Sequence, residues 1–161
     1  MKLKKQIKKD EGLRLRIYKD TLGIPTIYYG HRVRQGEVYL GTIEDAEKYL
    51  DLDIEVARQG ACALFPSLNY LPEEKQNALI ELVYNMGANK IKQSFPRFCN
   101  AVNRLSWEDA ANELKFADGQ SILSKWYKQV KENRAEGILG RLIEPDGYMV
   151  AASILANGQK I

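Results

Sequence analysis

Between residues 14 and 30 the apolar positions of this chain alternate, whereas on either side they recur at the three-to-four-residue spacing of a helix. A chain patterned in this way folds as helices around a strand–turn–strand unit. Leu15 and Ile17 face one way in the first strand, with Arg14, Arg16 and Tyr18 facing the other. Asp20-Thr21-Leu22-Gly23 has the residues of a type I turn, Asp first and Gly fourth. The second strand, 24–30, then places Ile24, Thr26 and Tyr28 on one face. Ahead of the hairpin, Leu3 and Ile7 mark a short helix that Gly12 stops. Behind it, the spacing predicts helices at about 43–64, 73–86, 96–105, 107–117, 121–130 and 132–143. Pro66, Pro72, Gly87, Pro96, Gly119 and Pro145 punctuate them, and Ser106 is placed as an N-cap. Thr42 with Asp45 forms the skeleton of a capping box for the first of these helices.

Two carboxylates flank the first strand. Glu11 falls at the C-terminal end of the first helix, where the dipole disfavours an acid by a few tenths to about 1 kcal/mol. Its neighbour Asp10 and partial burial add to the preference for a protonated carboxyl, which is what a general acid requires. The bland reading is a solvated surface acid. Asp20 also has a structural role open to it, accepting hydrogen bonds from its own turn, and a threonine such as Thr26 is ordinary in a strand. Two acids brought together by a strand and a turn are nevertheless the minimum for splitting a glycosidic bond. One protonates the leaving oxygen and the other handles the water or the cation.

Taken together, Glu11, Gly12, Leu15, Tyr18, Asp20, Gly23, Thr26, Ile27, Gly30 and His31 fit the pattern E-G-x-x-L-x-x-Y-x-D-x-x-G-x-x-T-I-G-x-G-H. That segment resembles the catalytic segment of the bacteriophage-type lysozymes, endolysins of glycoside hydrolase family 24. Thr42 to Glu47, Tyr84-Asn85-Met86-Gly87, Ser124-Lys125-Trp126-Tyr127 and Asn133-Arg134-Ala135 resemble later parts of the family more loosely. The resemblance implies an α+β, mostly α, lysozyme-like fold. A small β-hairpin lobe (about 12–60, with the connecting helix) sits against a larger helical lobe (1–11 and 61–161), with a cleft between them. It implies cleavage of the β-1,4 bond between N-acetylmuramic acid and N-acetylglucosamine in peptidoglycan. Glu11 is then the general acid, and Asp20 with Thr26 positions a water for inversion. Carboxyl groups about 5 Å apart would instead imply a covalent intermediate, against about 6.5–9.5 Å for inversion.

Further residues take their roles from the same comparison. His31, the chain's single histidine, is expected to pair with Asp53 and brace the hairpin against the long helix, with its pKa raised. Arg134 is a candidate partner for Glu11, an effect that opposes the helix end by favouring the ionised acid. Tyr84 and Asn85 are candidates for the sugar-binding wall. Tyr28 stands where the family carries glycine. By strand alternation it points into the cleft beside Thr26, either to stack on a sugar or to block it. The second outcome defines the alternative function, a glycan-binding lysozyme-like protein impaired in catalysis.

Composition supports a soluble single domain: 161 residues, 45% apolar and 28% charged. The net charge of +3 includes five lysines within the first nine residues, a face that draws the chain toward anionic wall polymers. Because Lys and Arg are scattered among 21 acids, nucleic acid is not an expected partner. Cys62 and Cys99 lack metal-ligand spacing; a disulfide stays open to them if they meet in space, but two buried free thiols are the expectation for a protein made in a cytosol. No metal or cofactor is called for. No apolar signal-peptide core follows the lysines and no run is long enough to span a bilayer. The expectation is therefore a monomer made in the cytoplasm that reaches the wall after release. The apolar tail at 148–155 is expected to pack on the helical lobe.

Overall fold

A computed structural model describes residues 2–145. The predicted packing of the tail at 148–155 lies outside the described residues. The first helix, α1 (Lys2–Glu11), buries Leu3 and Ile7 and ends where Gly12 turns to φ +70° and donates its N–H to the Lys8 carbonyl. This left-handed stop costs glycine little. It leaves Glu11 as the last helical residue, facing the sheet.

Three antiparallel strands follow in sequence order: β1 (Arg14–Lys19), β2 (Pro25–Tyr28) and the short β3 (His31–Arg32). Tyr18 pairs with Thr26, and Ile27 with His31. The register between β1 and β2 slips between Arg14 and Tyr18, so Arg14 lies opposite Tyr28. The turn between β1 and β2 closes through Gly23 N–H to the Asp20 carbonyl at 2.9 Å. β1 is an edge strand, exposed along nearly its whole length.

The long helix α2 (Ile43–Leu64) carries the sheet. It buries Ala46, Tyr49, Leu50, Ala57 and Ala61, with Ile54 half-buried beside them. Thr42 caps it, accepting from Asp45 N–H at 3.1 Å. The Asp45 carboxylate does not return the bond; it takes the Tyr28 hydroxyl and the Leu40 N–H instead. A one-turn 3-10 segment at Leu68–Tyr70 leads to α3 (Glu73–Met86), α4 (Ala88–Ser94), α5 (Pro96–Asn103), α6 (Trp107–Lys115), α7 (Lys125–Gln129) and α8 (Glu132–Ile143). The core of these helices packs Leu79, Ile80 and Leu82 of α3 against Leu114, Ile138 and Leu142, with Phe65 edge-on to Phe98 at 5.9 Å.

Several features differ from the sequence reading, among them the second strand, expected at 24–30, which ends at Tyr28 as β2 and is followed by β3. Helix α4 was not foreseen, because it buries a single side chain, Ile91, and so carries no periodic signal. The helix expected at 121–130 begins only at 125: Ser124 caps it by accepting from Tyr127 N–H, while the preceding residues form a bridge between Phe116 and Leu123. Ser106 is not a side-chain cap; its hydroxyl donates to Asp109. Cys62 and Cys99 are free but half-buried rather than fully enclosed.

Candidate active site

Glu11 is held at three points. Its backbone closes α1, its Oε1 accepts from Arg134 Nη1 at 2.7 Å, and its Oε2 lies against the Gly30 backbone. A β-carbon at Gly30 would stand 3.1 Å from that oxygen, and Gly30 also has φ +84°, so both space and backbone conformation favour glycine there. The Glu11 side chain keeps 22% of its surface open.

Arg134 lies almost wholly inside, at 7% exposure, and serves more than Glu11. Its Nε donates to Glu81 at 3.3 Å and stands 4.0 Å from Asp10, and its Nη2 is buried with no partner among the described residues. Glu81 is fully enclosed and takes a second donor, Arg141 Nη2, at 2.6 Å. Burial pushes the Glu81 carboxyl up, against the opposing pull of Arg141 and Arg134. Neither Glu81 nor Arg141 was singled out from the sequence. The signal available was one acid inside the apolar run Ala78-Leu79-Ile80-Glu81-Leu82-Val83.

Asp20 sits at the far end of β1. Its Oδ1 accepts from the N–H groups of Leu22 and Ile24, both at 2.8 Å, while Oδ2 has no partner among the described residues. Thr26, opposite Tyr18, is 3% exposed and donates its hydroxyl to the Ile24 carbonyl at 2.9 Å. Tyr18 joins the two ends of the arrangement. Partial burial, with further contributions from the Glu11 and Asp20 charges, raises its phenol despite Arg14 over its ring.

Tyr28 corrects the sequence reading. It does not point into a cleft beside Thr26: it adopts φ 58° at the end of β2, and its ring turns inward to 1% exposure. There it packs at 6.0 Å from Tyr39 and 5.7 Å from Tyr49, donates to Asp45 and accepts from Gly41 N–H. The left-handed backbone breaks the strand alternation on which the expectation rested. It also explains a glycine at this position, since only glycine takes positive φ without cost. Tyr28→Phe is expected to destabilise the fold by about 1–2 kcal/mol in urea denaturation, since Asp45 and Gly41 lose their partner. It should leave the activity per folded molecule unchanged.

His31 is 3% exposed, with Nδ1 2.8 Å from Asp53 and Nε2 2.9 Å from Glu37. Burial pulls its pKa down, but the hydrogen bonds to Asp53 and Glu37 outweigh it and the net direction is up. A raised histidine contributes stability that is complete below its unfolded value near 6.5 and is lost as pH rises through the folded value. His31→Gln is accordingly expected to cost roughly 1.5–3 kcal/mol at pH 6 and clearly less at pH 9, read by urea denaturation at both.

Tyr84 is half-buried, with its hydroxyl donated to the Tyr29 carbonyl, and Asn85 accepts from Trp126 Nε1 at 3.1 Å. The Asn85 amide nitrogen has no hydrogen-bond partner among the described residues. Two cavities lie elsewhere, of about 330 Å³ beside Lys75 and Trp107 and about 620 Å³ beside Arg97 and Asn100. Neither is lined by Glu11, Asp20 or Thr26. Among the described residues no group of three or more His, Cys, Asp or Glu stands together as a metal site, and no helix is long and apolar enough to cross a membrane.

A mostly helical α+β chain with a three-stranded antiparallel sheet and a long helix beneath it is of the lysozyme-like class. The phage lysozyme family matches residues 8–141, and the chain belongs to that family. It is 36% identical over 110 residues to a SAR-endolysin of Bacteriophage PS119, covering 65% of this chain and 61% of that protein. It is 29% identical over 139 residues to a protein named "Probable T4-type lysozyme 2" in Dictyostelium discoideum, covering 70% and 81%. The chain thus spans less than two thirds of the SAR-endolysin it matches.

Proposed function

We propose that this chain is a peptidoglycan muramidase, hydrolysing the β-1,4 bond between N-acetylmuramic acid and N-acetylglucosamine with inversion at the sugar. Glu11 Oε2, the oxygen not engaged by Arg134, carries the proton to the leaving oxygen. Asp20 Oδ2 and Thr26 Oγ1 each accept a hydrogen bond from one water, and the proton that the water loses on attack passes to Asp20. That leaves the water's lone pair to attack the anomeric carbon from the opposite face. Thr26 suits this role because its own proton is committed to the Ile24 carbonyl, so its oxygen is an acceptor only. The observation that carries the reading is the Glu11 side chain, fixed between Arg134 Nη1 at 2.7 Å and the Gly30 backbone with 22% of its surface still open. Tyr84 and Asn85 supply a ring and an amide for the glycan. A monomer suffices, since every residue invoked comes from one chain, and the substrate is the glycan strand of the cell wall.

The alternative of an impaired binder rested on Tyr28 standing in the cleft. With that ring enclosed beneath the sheet, nothing favours it over hydrolysis. The test is digestion of purified peptidoglycan, with reducing ends assigned and the first-formed anomer read by proton NMR. New N-acetylmuramic acid reducing ends in the α form are expected. A first-formed β anomer would remove Asp20 and Thr26 from the water-activating role, and binding without release would remove hydrolysis altogether.

A further inference from the structure

One guanidinium, Arg134, answers to three carboxylates. Its Nη1 holds Glu11 at 2.7 Å, while its Nε is shared between Glu81 at 3.3 Å and Asp10 at 4.0 Å. Glu81 is fully enclosed and is bound from behind by Arg141, so its carboxylate is anchored rather than free to swing away. Counting Arg141, the network sets three acids against two bases. We infer that Glu81 is a positioning residue that competes with Glu11 for Arg134 and so sets the pH range over which Glu11 holds its catalytic proton. This inference rests on the general-acid role proposed for Glu11.

The physical argument is one of shared charge. A guanidinium paired with a single carboxylate strongly favours that carboxylate ionised. When a second, buried carboxylate takes the same guanidinium, its negative charge cancels part of that pull and disfavours ionisation of Glu11 directly. Among the other groups on this side of the sheet, Arg14 lies over the Tyr18 ring and Asp20 sits at the far end of β1. Tyr18 from β1 and Tyr84 from α3 are both held neutral through the working range, Tyr84 chiefly by burial and Tyr18 by partial burial and its acidic neighbours. The turn between β2 and β3 presents only Gly30 backbone, and Asp10 on α1 is bonded to Gln6 at 2.9 Å. Glu81 is the carboxylate with no access to solvent, where a charge acts through the least screening. The helix end favours the protonated acid and the arginine favours the ionised one, and a carboxylate sharing that arginine weakens the second influence.

The test compares Glu81→Gln, which keeps the volume and hydrogen-bonding capacity, with Glu81→Asp, which keeps the charge. In Glu81→Gln the alkaline limb of the wall-clearing rate is expected to move to lower pH by about 0.5–1 unit, a roughly 3- to 10-fold loss at a pH on that limb. The Glu11 carboxyl, followed by carbon-13 NMR, should shift its titration in the same direction. Glu81→Asp should return both readings most of the way to wild type. An unmoved limb in Glu81→Gln, or equal shifts in the two variants, would overturn the inference. Should Glu81→Gln fail to fold, the double variant with Arg141→Gln removes one charge of each sign. A smaller shift of the same direction is expected there, because Arg141 stands behind Glu81 as seen from Glu11, and no shift would again overturn it. The NMR titration separates the two claims. If Glu11→Gln still clears walls, the general-acid role fails while the carboxyl coupling remains measurable.

Discussion

Glu11→Gln is expected to lower the rate of wall clearing by about a thousandfold, measured on purified peptidoglycan with wild type alongside. The expectation follows from what the substitution removes. Glutamine keeps the length of the side chain and an oxygen for Arg134 Nη1, but it has no proton to give to the leaving oxygen. General-acid assistance is typically worth about 10²–10⁴ in rate, and here no second carboxyl is held against Gly30 in its place. The fold should survive, because the change removes one acid from a helix C-terminus and from a network with a surplus of acids. Stability is expected to change by no more than about 1 kcal/mol. A folded Glu11→Gln protein that clears walls within tenfold of wild type would end the general-acid assignment.

Arg134→Met should produce the largest stability loss of any single substitution in the network, about 3–5 kcal/mol near neutral pH. Methionine fills much of the space but leaves Glu81, with no access to water, facing Arg141 alone. Asp10 and Glu11 lose their cation as well. The pH dependence has a definite sign. Burial already raises the Glu81 carboxyl above its ordinary value, and losing Arg134 raises it further. A group raised in the folded state contributes stability at low pH and loses it as pH rises through the folded value. The deficit of Arg134→Met should therefore be smaller at pH 5 than at pH 8 in urea titrations. A deficit that is equal at both, or greater at pH 5, would mean that the arginine acts through packing rather than charge.

The elements were legible where burial is periodic. The stripe Ala46, Leu50, Ile54, Ala57 and Ala61, of which only Ile54 is half-buried, located α2, and Leu3 with Ile7 located α1, because a helix that packs on one side must repeat its apolar residues. Helix α4 was invisible because it buries one residue, and α7 was overextended because the Ser124 cap and the bridge from Phe116 to Leu123 carry no periodic mark. In the site, the positions of Glu11 at the end of α1, Asp20 in the turn and Thr26 on β2 followed from the helix stop, turn chemistry and spacing. The direction of Tyr28 did not, because a single positive φ redirects a side chain that two-residue alternation sends elsewhere.

Local rules therefore determined which residues stand at the end of α1, in the turn after β1 and on β2, because helix stops, turns and strands are decided by near neighbours. The sharing of Arg134 between α1, α3 and α8 was decided only by tertiary packing. Glu11 and Arg134 lie 123 residues apart in the chain, and Glu81 lies 53 residues before Arg134. Charges meet across such separations only after the apolar faces beneath them have chosen their partners, and no local pattern records that choice.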